Sequence, residues 1–479
     1  MSADTIVIGA GVNGLVAAHT LARAGRSVLV LEQRPYADDA PDVGWVPPAV
    51  MKELGLQPSA IGIQHDDPWV SSVLPDGSRL ELSTDMAKSV DAIRRLSAAD
   101  AAKWPEFCAR MRRLGGVLEA LYVQPPPDVE TRDLGEMIRL AMLGISVRKL
   151  GRQTVIDLIR ILPMSAAELL DDWFESDALK GALGAAAVMH LHQGPRSAGT
   201  AFSLLHHHVG SPAGVFRPPV SRVSAVLAER PGVEIRRGAA VARINVRDGR
   251  ATGVMLANGE EIAASTVVSS ADPRRTMLGL VANGWLEPEY ALAVRNIKCR
   301  GVATRITLTV SKPAPFRTLL VAPALDVLER AYDDAKYGRV SREPWFEARA
   351  DGDRVRIHAQ CVPYQLREGT WDAARAKEFG DGVVARLTAA VPALAGTITA
   401  REVLGPKDLE AATGLTEGQA YHGELTLDQI LFMRPVPGWG RYRTPVGGLY
   451  LCGAGTHPGG AVAGACGRNA AREILRSRS

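Results

Sequence analysis

Residues 5–33 read TIVIGAGVNGLVAAHTLARAGRSVLVLEQ, and the reading of this stretch decides the fold. Ile6-Val7-Ile8 is a short apolar run of the kind buried in a parallel sheet, and Gly9, Gly11 and Gly14 complete G-x-G-x-x-G at its end. The first glycine permits a tight turn, the second lets a pyrophosphate approach the backbone, and the third lets the next helix pack close to the strand. That helix directs unpaired N–H groups and the positive end of its dipole at phosphate. Val28–Leu31 reads as a second strand ending in Glu32, an acid placed to accept from a ribose and to repel a 2′-phosphate. A chain with 47 glycines can meet this pattern by chance. Here the motif lies between strand and helix, with Ala17, Ala18, Leu21, Ala22 and Gly25 in register and the acid correctly spaced, so dinucleotide binding is the reading it supports.

Working outward, 479 residues with 46% hydrophobic content suffice for two or three domains with sizeable cores. A net charge of +4 on so long a chain gives no reason to invoke nucleic acid. Asp4 precedes the first apolar run and a glycine turn follows it, which reads as a core strand and not a signal peptide. No run approaches the roughly 18 apolar residues of a membrane span. Cys108, Cys299, Cys361, Cys452 and Cys466 contain no C-x-x-C pair, which points to a reducing, cytoplasmic setting and to buried thiols without a metal role.

Along the chain, residues 34–48 read as loop and Pro48–Leu54 as a short helix. Residues 69–84 form a hairpin turning at Pro75-Asp76-Gly77-Ser78. From Ser89 to Val209 the pattern is mostly helical, with a break at Gln124–Pro127. Strands return from Val233, turning at Asp248-Gly249 and Asn258-Gly259. A mixed stretch follows from Val302 to about Ala400, and the end reads as a strand in GGLYLCGAG and a helix from about Gly464 to Leu475. The expected fold class is α/β: a Rossmann-like domain assembled from residues 1–75, 212–290 and 445–479. A mixed substrate domain with a helical insertion takes residues 76–211 and 291–444.

Several blocks carry a family resemblance: LPMSAAELLDDWFESDALKGAL (162–183), GPRSAGTAFSLLHHHVG (194–210), SSADPRRT (269–276), PKDLE (406–410) and the whole of 422–475. In that order they resemble the flavin-dependent phytoene dehydrogenase-related family, within the wider amine oxidase and carotenoid desaturase superfamily. The resemblance implies FAD as cofactor and a last block that closes over it, with Gly453, Ala454, Gly455, Gly459, Gly460 and Val462 as contacts. Glycine-rich backbone ahead of a helix offers amides to a phosphate or flavin ring, which agrees. The chain departs from the pattern at three places. The Gly-Gly-x-x-x-Thr segment that wraps the diphosphate is deleted, so that residues 32–48 run directly to Asp42-Val43-Gly44-Trp45. A second glycine turn is replaced by Pro218-Pro219-Val220-Ser221-Arg222, and a lysine near flavin N5 is replaced by Arg305.

Arg305, His422 and His457 are the residues the resemblance places beside flavin or substrate; for the histidines, and for Arg434, a structural hydrogen-bonding role is the alternative. His206-His207-His208 cannot converge on one ion from a helix, so no metal site is expected. Residues 134–162, LGEMIRLAMLGISVRKLGRQTVIDLIRIL, combine Arg139, Arg148, Lys149, Arg152 and Arg160 with wide apolar faces. They read either as helices packed on a neighbour, the preferred reading, or as a basic amphipathic pair in peripheral contact with a membrane. The expected function is hydride transfer between a C–H bond of a hydrophobic, polyene- or isoprenoid-like molecule and flavin N5, the cofactor carrying the chemistry. The alternatives are an amine oxidase-like enzyme and a redox-silent scaffold that binds FAD weakly.

Overall fold

The computed structural model describes residues 4–36, 40–126, 134–149, 151–301 and 303–476. Its organising layer is a five-stranded parallel sheet, in the order Leu449–Leu451, Thr266–Ser269, Thr5–Ile8, Val28–Leu31, Glu234–Arg236. Thr5–Ile8 lies at its centre, buried along its whole length, because apolar residues without alternation suit a strand covered on both faces. On one face the helix Val12–Arg23 packs with the closing helix Ala465–Arg476 through Ala17, Ala18, Leu21, Ala470, Ala471 and Ile474. On the other face a three-stranded antiparallel sheet covers Ile6 and Val267 with Ile244, Val254 and Ile262. Its turns fall at Asp248-Gly249 and Asn258-Gly259, where φ is positive at Asp248, Gly249 and Gly259.

The second layer is a seven-stranded sheet in the order Ile398–Leu404, Ala303–Val310, Arg354–Gln360, Phe346–Asp351, Thr318–Val321, Val70–Val73, Arg79–Leu82. One face alternates apolar residues such as Ile306, Leu308, Phe346, Val355 and Ile357 into a core closed by the helix Ala373–Ala390. The hairpin Val70–Leu82 has both strands in this sheet, so a domain boundary at residue 75 would cut through it.

Beyond the other face lies the helical block. Its longest helix, Ala98–Tyr122, presents Trp104, Phe107, Cys108, Met111, Leu114 and Leu118 at helical spacing to a shared core with Phe174, Phe202 and Phe216. Ser97 caps this helix by accepting from Asp100 N–H at 3.0 Å, and buried Asp100 accepts from the N–H groups of Glu175 and Ser176 at 2.9 and 2.8 Å.

The shortened segment 40–47 is sewn in by backbone hydrogen bonds. Asp42–Val43 pairs antiparallel with Val220–Ser221, and Gly44 N–H donates to Pro219 O at 2.8 Å. Trp45 then exchanges bonds with the closing block, donating to Ala461 O at 2.9 Å and accepting from Ala463 N–H at 2.7 Å. The proline-rich replacement of the second glycine turn thus pairs with the shortened loop.

Close approach of the first and last helices rests on Gly467, where an added Cβ would stand 2.0 Å from Asn13 O. We expect Gly467→Ala to lower stability by about 1–3 kcal/mol, as overpacking against backbone does, read as a lower urea midpoint at unchanged slope.

Candidate flavin and substrate site

The first turn takes the expected form. Gly9 has φ +93°, and a Cβ on Gly14 would meet Gly9 O at 2.2 Å, so helix and turn could not close on any larger residue. Gly11 differs: nothing lies within 4 Å of the position its Cβ would take. It precedes a helix whose N-terminus has no side-chain cap, and Asn13 Oδ1 in its first turn is buried without a partner. Glu32 is 5% exposed and held from both sides, Oε2 accepting from Ala10 N–H at 2.8 Å and Oε1 from Arg34 N–H at 2.9 Å. A cavity of about 310 Å³ runs from Gly9, Gly11 and Glu32 to Ser270, Arg275 and His422. An open glycine, a free helix N-terminus and a fixed acid at the end of one cavity fit the adenosine diphosphate half of FAD.

The closing block packs closely on protein. Cβ atoms on Gly453, Gly455, Gly459 and Gly460 would meet Ser270 O at 2.3 Å, Pro273 Cδ at 2.3 Å, Leu425 Cδ2 at 2.6 Å and the Tyr421 ring at 2.1 Å. Ala454 and Val462 are buried as well. Packing on protein is therefore enough to require glycine at these four positions. Gly460→Val, which a role in flavin contact alone would leave folded, would drive a side chain into Tyr421.

What packs on the block is the segment 421–434, and Arg434 fixes it. Its guanidinium is 2% exposed and donates to the carbonyls of Tyr421, Gly423, Glu424, Gln429 and Ala454 at 2.6 to 3.1 Å. Burial lowers its pKa to about 10, which leaves it charged at neutral pH. Arg434 is thus a structural cation, the alternative weighed for it from sequence.

His422 lines the nucleotide cavity with Nδ1 unpartnered, and burial pushes its pKa down to about 4. His457 lies deeper, with Nε2 3.2 Å from Leu121 O and its ring edge-on to Tyr122, so it packs the block onto the long helix. Arg305 shares a sheet face with His358, its cross-strand neighbour, and is exposed. The preceding Thr304 is fully buried with its hydroxyl unpartnered.

A second cavity, of about 190 Å³, lies between the helix Asp177–Val188 and the seven-stranded sheet. Trp69, Met189, Phe216 and Leu320 line it together with His190, His207, His358, Arg217, Glu347 and Tyr421. Apart from His207, weighed only as a metal ligand, these polar residues drew no attention in the sequence: they come from five separate segments, and only the fold brings them together. The three consecutive histidines point in separate directions, each to partners of its own. His206 bridges Tyr122 and Gly460 O, each at 2.7 Å, His207 bridges Ala186 O and Tyr421, and His208 reaches Val215 O. Tyr421 and His422, adjacent in sequence, serve different cavities, and the Tyr421 ring is the wall between the second cavity and Gly460.

Comparison with known proteins agrees with this geometry. Residues 49–475 match the family described as flavin containing amine oxidoreductase, and residues 7–37 match the NAD(P)-binding Rossmann-like domain. The chain is 30% identical to pyridine nucleotide-disulfide oxidoreductase domain-containing protein 2 of Rattus norvegicus, over 99% of this chain and 93% of that one. It is 26% identical to a subunit of limonene dehydrogenase from Castellaniella defragrans, over 99% and 94%. Putrescine oxidase bound to putrescine superposes with a TM-score of 0.59 at 15% identity over 99% of each chain, a likeness of fold. The chain belongs to the flavin containing amine oxidoreductase family, and it is an FAD-dependent oxidoreductase. The alignment with the rat protein spans 541 positions against 479 residues here, so that relative carries segments this chain lacks.

Two outcomes follow. Gly11 has φ −71° and open space around it, so Gly11→Ala should leave the thermal midpoint of the flavin-free protein unchanged. The same change should weaken FAD by on the order of tenfold in a fluorescence titration, because the methyl group enters the space the diphosphate needs. Burial also pushes His206 down to about 3 and His207 and His208 down to about 4, so the folded state holds them neutral where the unfolded chain protonates them. Their contribution is complete above about pH 6.5 and is lost as pH falls from there toward 4. Unfolding free energy from denaturant titrations should drop by at least about 1 kcal/mol per pH unit across that window.

Proposed function

We propose that the enzyme takes hydride from a C–H bond of a small hydrophobic molecule held in the cavity beside Tyr421. The observation that carries this reading is the place of that cavity, on the far side of the Tyr421 ring from the closing block, with Trp69, Met189, Phe216 and Leu320 as apolar walls. Bound FAD supplies the two-electron acceptor. This chain's part is to hold the diphosphate at Gly11 and the first helix, to hold the ribose at Glu32, and to keep the substrate side dry. The name of the 26% identical relative, a component of limonene dehydrogenase, supports a small apolar substrate. The test is the visible spectrum of the purified protein, followed by anaerobic addition of candidate substrates. Flavin bands near stoichiometric occupancy that bleach on addition are expected. A colourless protein would instead favour the scaffold reading.

The enzyme's contact with its surroundings is proposed to run through the helix Leu134–Lys149. Leu134, Met137, Ile138, Met142 and Ile145 recur at helical spacing and are 52–72% exposed, with Ile156 and Ile159 exposed on the next helix. Arg148 and Arg152, both exposed, complement an anionic bilayer surface. Among the described residues no helix is long and apolar enough to cross a membrane. Co-sedimentation with phosphatidylglycerol vesicles is expected and should fall about tenfold in the Ile138→Asp, Ile145→Asp double variant. Sedimentation unchanged in that variant would remove the proposal.

A further inference from the structure

We propose that the cavity beside Tyr421 selects an uncharged molecule of single-ring size carrying one hydroxyl group, and that this hydroxyl is held between Tyr421 Oη and the His190 ring. The inference rests on the proposed function only in taking this cavity as the substrate's.

Size comes first. The cavity holds about 190 Å³, little more than the roughly 150 Å³ known to hold one benzene in a dry protein interior. The cavity is open on one side, so what it encloses is a ring-sized part of a ligand. Charge comes second. Arg217 and Glu347 are paired directly with each other, so neither is left to bind a ligand ion. His190, His207 and His358 are kept neutral by burial. An ammonium or carboxylate would lose its hydration on entry and find no unpaired counter-charge among these residues.

Polarity is decided by a tautomer. His207 Nδ1 lies 2.7 Å from Ala186 O, and a carbonyl oxygen can only accept, so Nδ1 carries the proton of the neutral ring. Nε2 then presents its lone pair and accepts the Tyr421 O–H at 3.0 Å. The Tyr421 hydroxyl proton is thereby committed, and what its oxygen can still offer is acceptor capacity. The His190 ring stands with its centroid 4.6 Å from that of Tyr421, and among the described residues its nitrogens make no hydrogen bond. A neutral imidazole offers one N–H donor and one acceptor. A ligand hydroxyl can donate to Tyr421 Oη and accept from the His190 N–H at once. A hydrocarbon satisfies neither, and a protonated amine, though able to donate to both groups, brings a charge that no unpaired acid among these residues offsets.

The experiment is isothermal titration of the FAD-loaded protein at neutral pH with benzyl alcohol, toluene and benzylamine, which share one ring and differ in the group under test. Benzyl alcohol should bind about fivefold to tenfold more tightly than toluene, the scale of one net hydrogen bond, and at least tenfold more tightly than benzylamine. Tyr421→Phe keeps the ring against Gly460 and should bring benzyl alcohol to the level of toluene without changing toluene. Benzylamine binding as well as benzyl alcohol, no binding of any probe, or a preference for the alcohol that survives in Tyr421→Phe would each overturn the inference. The comparison of probes on the unmodified protein stands whether or not the variant folds. Flavin absorbance is followed separately, because binding with the flavin left oxidised bears against the proposed reaction and not against this site.

Discussion

The structure depends on one buried cation. Arg434 has no carboxylate among its hydrogen-bond partners; its five N–H donors are spread over five backbone carbonyls, four in segment 421–429 and one, Ala454, in the closing block. A guanidinium buried in this way would be costly if any donor were left unmade, so the irregular backbone around it is held to one conformation. That backbone carries Tyr421 toward the substrate cavity and His422 toward the nucleotide cavity. The two halves of the site are therefore placed by the same interaction, at a segment with no regular secondary structure beyond two short 3₁₀ turns.

Glycine serves two distinct purposes around this centre. In the first turn, Gly9 and Gly14 let helix and strand close while Gly11 leaves space, which is the division of labour a dinucleotide needs. In the closing block, Gly453, Gly455, Gly459 and Gly460 are pressed against protein, and their small size lets three segments meet. The shortened loop belongs to the same construction. With the wrapping segment gone, Trp45 bonds directly to Ala461 and Ala463, and its indole lies on Gly210.

The sequence made the nucleotide end legible because its information is local: strand, turn, helix and acid follow within 28 residues, from Thr5 to Glu32. The helix Pro48–Leu54, the hairpin at 75–78 and the turns at 248–249 and 258–259 were readable for the same reason. The substrate end was not. His190, His207, Arg217, His358 and Tyr421 are ordinary residues in their own segments, and the register of the seven-stranded sheet, which sets His358 beside Glu347, cannot be read from local pattern. Arg305 is in the expected strand, on a face shared with His358, and open to solvent.

The central claim is that Arg434 holds the nucleotide and substrate walls in one arrangement, and the FAD dissociation constant of Arg434→Lys tests it most directly. Lysine keeps the charge but has three donors for five carbonyls, so the segment carrying His422 loses part of its anchorage. In protein whose far-ultraviolet circular dichroism matches the parent, flavin fluorescence titration should give an FAD affinity at least tenfold weaker, about 1.4 kcal/mol. An unchanged dissociation constant in that folded variant would contradict the account.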